Sequence, residues 1–474
     1  MGFAQECRRS ELPLKPPLAS RCKVQRSPNR PLSAARHPLL VAKPSGSRIQ
    51  ADRTSLLSDE LLLRVLSNLP GSQTEINRYA LVCKRWLSLL RQMPRSLKVL
   101  DLDFILSGRL VSKFPNLTHL DIVHACFIPP ARREIMWNHG AVSVYLDSCS
   151  DSGVLELGLE GYLIKKETIH GCLMRIARGF HDLRSLTAIG ASETGLLILG
   201  EECPALQILE LHCCCDAALR GIAACRNLQV LKLFGNVADR GRSGLSDLGL
   251  TIMANGCGRL VKLELSGCGG SYDGIKAIGQ CCQMLEELSL RDHGMEGGWT
   301  AALPCFENLK TLRFRSCKAI DPAEASSMAN VGSCPALEQL HFVRCRMRDM
   351  RIARELFTIC ENVREIVIED CSGLHNDTFR FAATCRRVQL LSLKGCSLLT
   401  AGGLEPVILS WHELRRLRVV SCKNIDIGEV TPSISILFSS LQELTWNPDS
   451  KSAISSGLLA FGMGRRGRLL FSKF

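Results

Sequence analysis

Apolar and polar positions follow a repeating pattern along most of this chain. From residue 203 the segments CPALQILELHCC, CRNLQVLKLFGN, CGRLVKLELSGC and CQMLEELSLRDH succeed one another. FENLKTLRFRSC, CPALEQLHFVRC, CENVREIVIEDC, CRRVQLLSLKGC and WHELRRLRVVSC continue the series, and LQELTWN is a partial last copy. The shared rule is C-x-x-L-x-x-L-x-L-x-x-C, and its first apolar position falls at residues 206, 228, 260, 285, 309, 337, 363, 388, 414 and 441, a period of mostly 24 to 28 residues. Within each copy the L-x-L alternation predicts a short strand. Leu209 and Leu211 point to a core, whereas Ile208, Glu210 and His212 point the other way. Intervening stretches such as DAALRGIAACRNL place apolar residues at helical spacing and predict a return helix. Self-similarity at this period marks a leucine-rich-repeat solenoid of α/β class: a horseshoe with parallel strands on its concave face and helices on its convex face.

Three weaker copies precede the regular ones: LKVLDL at Leu97–Leu102, LTHLDI at Leu117–Ile122 and LRSLTAI at Leu183–Ile189. Residues 127–180 between them follow no clear period and read as degenerate repeats or an inserted loop. Further upstream the pattern changes. In LLSDELLLRVLSNLPGSQTEINRYALVCKRWLSLLRQ, residues 56–92, Ser58 is placed to cap a helix, with Asp59 and Glu60 in its first turn. Leu61, Leu62, Val65, Leu66 and Leu69 then form a wide apolar stripe that Pro70-Gly71 ends. A second amphipathic segment runs through Ile76, Tyr79, Ala80, Val82 and Cys83 to Trp86, Leu89 and Leu90. So short a unit cannot bury that much apolar surface internally, so part of it must cover a partner or the first repeat.

Cysteine use and charge refine this picture. There are 24 cysteines and no apolar stretch near Met1 of the kind that marks a secreted chain, so a disulfide framework is not expected. Seven cysteines (203, 225, 257, 282, 334, 360, 385) open copies and seven (214, 268, 317, 345, 371, 396, 422) close them. Buried structural thiols explain that periodicity. Adjacent residues on a strand point to opposite faces, so the triplet Cys213–Cys215 is a poor chelator and no metal is expected. The net charge of +13 resides at the ends: residues 1–53 contribute +8 and residues 451–474 contribute +5, which leaves the presumed folded part neutral. Neither nucleic-acid binding by the core nor a membrane span is indicated. Residues 1–53 are rich in Pro, Ser and Arg and read as a solvated tail; their composition also resembles a transit peptide, although Pro13, Pro16, Pro17, Pro28 and Pro31 interrupt any sustained helix. The C-terminal residues 451–474 read as a basic tail or cap.

The repeats resemble the cysteine-containing leucine-rich repeats of F-box proteins. The pattern L-x-x-E-L-L-x-x-V-L-x-x-L-P followed by V-C-K-R-W resembles the F-box itself, with Ser58 standing where many family members carry Pro. The resemblance implies a chain divided into a tail (1–53), an F-box (54–95), degenerate repeats (96–200), regular repeats (201–450) and a C-terminal tail (451–474). It implies a substrate-recognition subunit of a Skp–cullin–F-box ubiquitin ligase that presents a target protein for ubiquitination and degradation. Leu57, Leu61, Leu62, Val65, Leu66, Leu69, Val82 and Trp86 would face the Skp-type adaptor, and through it a cullin scaffold. No enzymatic motif stands in a convincing context and no cofactor is expected, which points to a non-catalytic adaptor in the cytoplasm or nucleus. The outward strand positions supply candidate target-binding residues: Lys262, Arg291, Arg313, Arg315, His341, Arg344 and Arg418. The other readings are a repeat scaffold whose helical segment only caps the solenoid, and an organelle-targeted protein.

Overall fold

A computed structural model describes residues 53–69, 73–127, 164–235, 245–267, 271–292, 294–295, 299–317, 319–320, 333–347, 350–425 and 431–448. The two terminal tails and most of the irregular 127–180 stretch therefore lie outside the described residues. The chain divides into two units, residues 1–57 and 58–474. In the first, Arg53–Leu56 forms a single 3-10 turn; all that follows concerns the second.

Thirteen short strands make one parallel sheet in sequence order. They are β1 (Ser96–Lys98), β2 (His119–Asp121), β3 (Ser185–Ile189), β4 (Ile208–Cys214), β5 (Val230–Gly235), β6 (Lys262–Ser266) and β7 (Glu287–Arg291). After a two-residue strand β8 (Gly294–Met295) come β9 (Thr311–Arg315), then β10 (Ala319–Ile320), β11 (Gln339–Val343), β12 (Glu365–Glu369), β13 (Leu390–Lys394), β14 (Arg416–Val420) and β15 (Glu443–Asn447). Strands β8 and β10 pair only with each other. This one-directional sheet, with a connection of roughly repeat length between neighbours from β3 onward and a longer one between β2 and β3, is consistent with a solenoid. β1, β2 and β3 continue it in register, so the weak early copies belong to the same stack. The part of the irregular stretch that is described contains the helix Lys166–Gly179.

Register follows from the apolar alternation. Leu263, Leu288, Leu312, Leu340, Ile366, Leu391 and Leu417 lie side by side across seven strands. Second and fourth strand residues join the apolar faces of the helices in one continuous core. Each fully buried leucine stabilises by about 1.5–3 kcal/mol. A one-residue slip would turn that whole row to solvent, which is why the register is firm.

Strands leave the sheet at a left-handed residue. Gly190, Cys213, Gly267, Asp292, Ser316, Arg344, Asp370, Gly395 and Ser421 all have φ between 46° and 65°. Six of the nine are not glycine, a conformation that costs L-residues free energy. Backbone bonding to the next repeat offsets it: the Asp292 amide donates to the Arg315 carbonyl at 2.9 Å, Ser316 to Val343 at 2.8 Å, Arg344 to Glu369 at 2.8 Å and Asp370 to Lys394 at 2.7 Å.

The cysteines tie successive repeats together. The copy-opening thiols face backward, to the preceding repeat. The Cys203 thiol donates to the Phe180 carbonyl (3.3 Å), Cys257 to Ile222 (3.5 Å), Cys334 to Leu303 (2.9 Å) and Cys385 to Cys360 (3.3 Å). Each of these carbonyls also accepts the backbone amide three residues on (Leu183 to Phe180 at 3.1 Å, Cys225 to Ile222 at 2.8 Å), so the thiol fills a second acceptor site and adds a bond across the repeat boundary. Closing cysteines follow the left-handed residue and bond near the strand end: Cys371 donates to the Glu369 carbonyl at 3.4 Å and accepts from the Cys345 amide at 3.4 Å. All twenty described cysteines are free thiols. Burial pushes the Cys203, Cys225, Cys282, Cys334 and Cys385 thiols up to about 12.

Helix starts are clamped in the same neighbour-to-neighbour manner. The Asp247 carboxylate accepts from the Ser271 amide (2.7 Å), the Ser271 hydroxyl (2.5 Å) and the Gly274 amide (3.1 Å) of the next helix, Tyr272–Cys281. A Cβ at Gly274 would lie 2.5 Å from the Asp247 carboxylate oxygen and 3.0 Å from Leu250. We expect Gly274→Ala to destabilise the protein by about 1–3 kcal/mol. Gly402→Ala, whose Cβ would meet only the Thr400 hydroxyl at 3.9 Å, should instead stabilise by about 0.5 kcal/mol through helix propensity. Urea unfolding of both variants checks the pair; equal shifts would refute the clamp. For the thiols, an aromatic disulfide reagent at pH 8 should modify Cys83 and Cys215, both exposed, well before the buried copy-opening cysteines, which should react only on unfolding. Peptide mapping of the modified sites reads this out.

Candidate functional surfaces

Two surfaces of the second unit carry the candidate residues. The first is the helical segment ahead of the sheet. Helix α1 (Asp59–Ser67) starts at Ser58, whose hydroxyl accepts from the Leu61 amide at 3.3 Å. The second amphipathic segment is not one helix but two, α2 (Gln73–Ala80) and α3 (Lys84–Gln92). Cys83 makes the break: its extended backbone ends the turn after α2, and its sulfur accepts from the Trp86 amide at 3.4 Å as the N-cap of α3. An Asp59–Arg85 ion pair at 2.7 Å joins α1 to α3.

The wide stripe of α1 divides into two rows. Leu62 and Leu66 are 1% and 3% exposed and face inward together with Leu89 and Leu90 of α3, whereas Leu61 and Val65 are 51% and 47% exposed. Residues i and i+4 share a helix face, so the row Leu62/Leu66 and the row Leu61/Val65 are neighbouring but distinct. Leu62 and Leu66, grouped by the sequence with the adaptor-facing residues, are thus buried, and the outward row of α1 is Leu61/Val65. Val82 is exposed, Leu69 and Trp86 are half-buried, and Leu57 belongs to the first unit. Leu81, at 85% exposure, escaped the sequence reading. Its signal was its place beside Val82 in the short turn before the Cys83 cap, where no helix face exists to cover it.

The second surface is the open face of the sheet, made by the first, third and fifth residues of each strand. Its third-position row runs Asp121, Thr187, Glu210, Lys232, Glu264, Ser289, Arg313, His341, Val367, Ser392, Arg418 and Thr445. Ion pairs link the strands, most between neighbours and one, Arg416 to Glu365, across β13. Glu287 accepts from Lys262 at 2.9 Å and also from Arg313; Arg416 reaches Glu365 at 2.9 Å; Lys232 meets Glu210 at 3.1 Å. On the same stretch the His212 ring, itself buried, bonds Glu210 at 3.1 Å and stacks on Phe234 at 4.5 Å.

The seven candidate residues of this face therefore do not form one cluster. Arg313, Arg315 and His341 are brought together on β9 and β11. Arg344 is not on a strand: it occupies the left-handed corner after β11, with φ 54°. Lys262 and Arg313 are already paired with Glu287, Arg291 is buried, and Arg418 stands three strands beyond His341. His341 is half-buried and its Nε2 has no partner; burial, followed by the Arg313 charge, pushes its imidazole down from the ordinary value. Lys394, exposed on β13, joins the set. Among the described residues no group of three or more His, Cys, Asp or Glu side chains is arranged to hold a metal ion.

Burial alone would raise the Glu210 carboxyl, but the His212 hydrogen bond and the Lys232 charge outweigh it and hold it at about 2. A depressed carboxylate stabilises the fold above its unfolded value of about 4.3 and loses that contribution as pH falls towards 2. Glu210→Gln should therefore narrow the stability loss between pH 5 and pH 3 in urea titrations; an unchanged pH slope would show that the ion pair contributes nothing.

Compared with models of known protein families, residues 54–98 match the F-box domain. Among the described residues no helix is long and apolar enough to cross a membrane.

Proposed function

We propose that this chain, which carries an F-box domain at residues 54–98, is a substrate-recognition subunit of a Skp–cullin–F-box ubiquitin ligase. The observation that carries the reading is the joining, in one chain, of that domain to a long repeat sheet with an open polar face. F-box domains generally bind Skp-type adaptors, and the exposed apolar side chains Leu61, Val65, Leu81 and Val82 are the matching chemistry on this one. Large apolar side chains left in water mark docking surfaces. The sheet face takes the target protein. The chain's contribution is then proximity: it holds target lysines near a ubiquitin-charged enzyme and raises their effective concentration. It performs no bond chemistry itself.

The test is a pull-down of recombinant Skp-type adaptor by the full chain and by a Leu61→Asp/Val82→Asp double variant. Both positions are exposed, so the variant should fold, which a thermal melt checks. We expect wild type to bind and the variant to lose roughly 100-fold in affinity, as loss of interface anchors does. Failure of the folded wild type to bind would leave the helical segment as a cap on a repeat scaffold.

A further inference from the structure

The open face changes electrical character along its length. On its third-position row the acids Asp121, Glu210 and Glu264 all precede β7, and beyond it the only ionic residues are Arg313 and Arg418. The fifth-position row adds Arg315 and Lys394, with Glu369 between them, and Arg344 at the corner after β11. What matters is which charges are already satisfied. Glu287 is neutralised by Lys262 and Arg313, and Glu365 is held by Arg416. Arg315, Arg344, Lys394 and Arg418 are exposed and, among the described residues, form no ion pair; the acids that face them are Glu369 and Asp370. A free His341 Nε2 lies on the floor between Arg313 and Val367.

We infer that β9–β14 of the open face hold an acidic stretch of the target, an extended segment carrying carboxylates or phosphates. This rests on the reading that the sheet face receives a target protein. Guanidinium forks accept both oxyanions in paired geometry. The Val343, Val367 and Leu390 side chains between the cations suit the aliphatic parts of a peptide. A nucleic acid fits less well. The open-face positions of β9–β14 include no Phe, Tyr or Trp on which bases could stack, and Glu369 and Asp370 would meet a continuous phosphate backbone.

The experiment measures fluorescence anisotropy of labelled peptides with the full chain at low salt. The probes are oligo-glutamate, a phosphoserine-containing peptide, oligo-lysine and oligothymidylate. We expect oligo-glutamate or the phosphopeptide to bind, the stronger of the two identifying the oxyanion, with affinity falling as salt rises. Lys394→Glu/Arg418→Glu should weaken that binding about tenfold or more. Lys276→Glu/Arg226→Glu, on the helix Tyr272–Cys281 and in the turn before β5, is the charge-matched control and should leave it unchanged. Absence of binding by both acidic probes, an equal loss in the control variant, or tighter binding of oligothymidylate would each overturn the inference. Adaptor pull-down with the same preparations separates the two readings. Adaptor capture without peptide binding sinks this inference alone; peptide binding without adaptor capture sinks the ligase reading alone.

Discussion

A repeat of this kind cannot satisfy itself. Its strand is about five residues long, and backbone groups at the ends of its strand and helix find partners across the repeat boundary. Everything else depends on the neighbouring repeat closing those groups. The left-handed residue after one strand donates to the last carbonyl of the next, and the thiol opening one copy donates to a carbonyl at the end of the one before. The Asp247 carboxylate likewise receives the first amides of the following helix. Cysteine suits its place because it is small, tolerates burial and still offers a hydrogen. The bonds run from repeat to repeat, so stability should be shared along the stack rather than concentrated in a single core.

The same constraint creates the exposed face. Half of every strand is committed to the core by alternation, and the other half stands away from it with no covering layer required by the repeat itself. Ion pairs between strands engage some of those side chains, most completely around Glu210 and Glu287. The more exposed pairs, such as Arg416–Glu365, add little stability. The pairs as a group also engage charges that would otherwise be available on this face, and among the described residues Arg315, Arg344, Lys394 and Arg418 of the later repeats form no ion pair.

At the other end of the second unit the helical segment solves a different problem. Three short helices bury Leu62, Leu66, Leu89 and Leu90 and lock α1 to α3 through Asp59 and Arg85. That consumes one row of the apolar stripe and leaves another row uncovered. Those uncovered side chains are the surface on which the proposed adaptor contact rests.

Much of this could be read from residues. The strand alternation, the repeat period, the thiol periodicity and the Ser58 cap are local or periodic properties, and neighbouring side chains on the same few residues express them. The helical segment's family was legible for the same reason, since its apolar spacing and V-C-K-R-W lie within forty residues. What the sequence could not decide depends on which repeat touches which. Leu61 and Leu62 are both leucines of one stripe, and only packing against α3 makes one core and the other surface. Lys262, Arg313 and Arg418 look alike as outward cations, and only the cross-strand register gives Glu287 to the first two and leaves the third unpaired. The opening cysteines announce themselves by period, but their direction, back towards the previous helix, depends on where that helix ends. Periodic patterning determined the architecture by itself, because burial depends on side-chain direction along the chain. Tertiary structure alone decided the partners, because charge pairing and burial between repeats depend on distances that sequence separation does not encode.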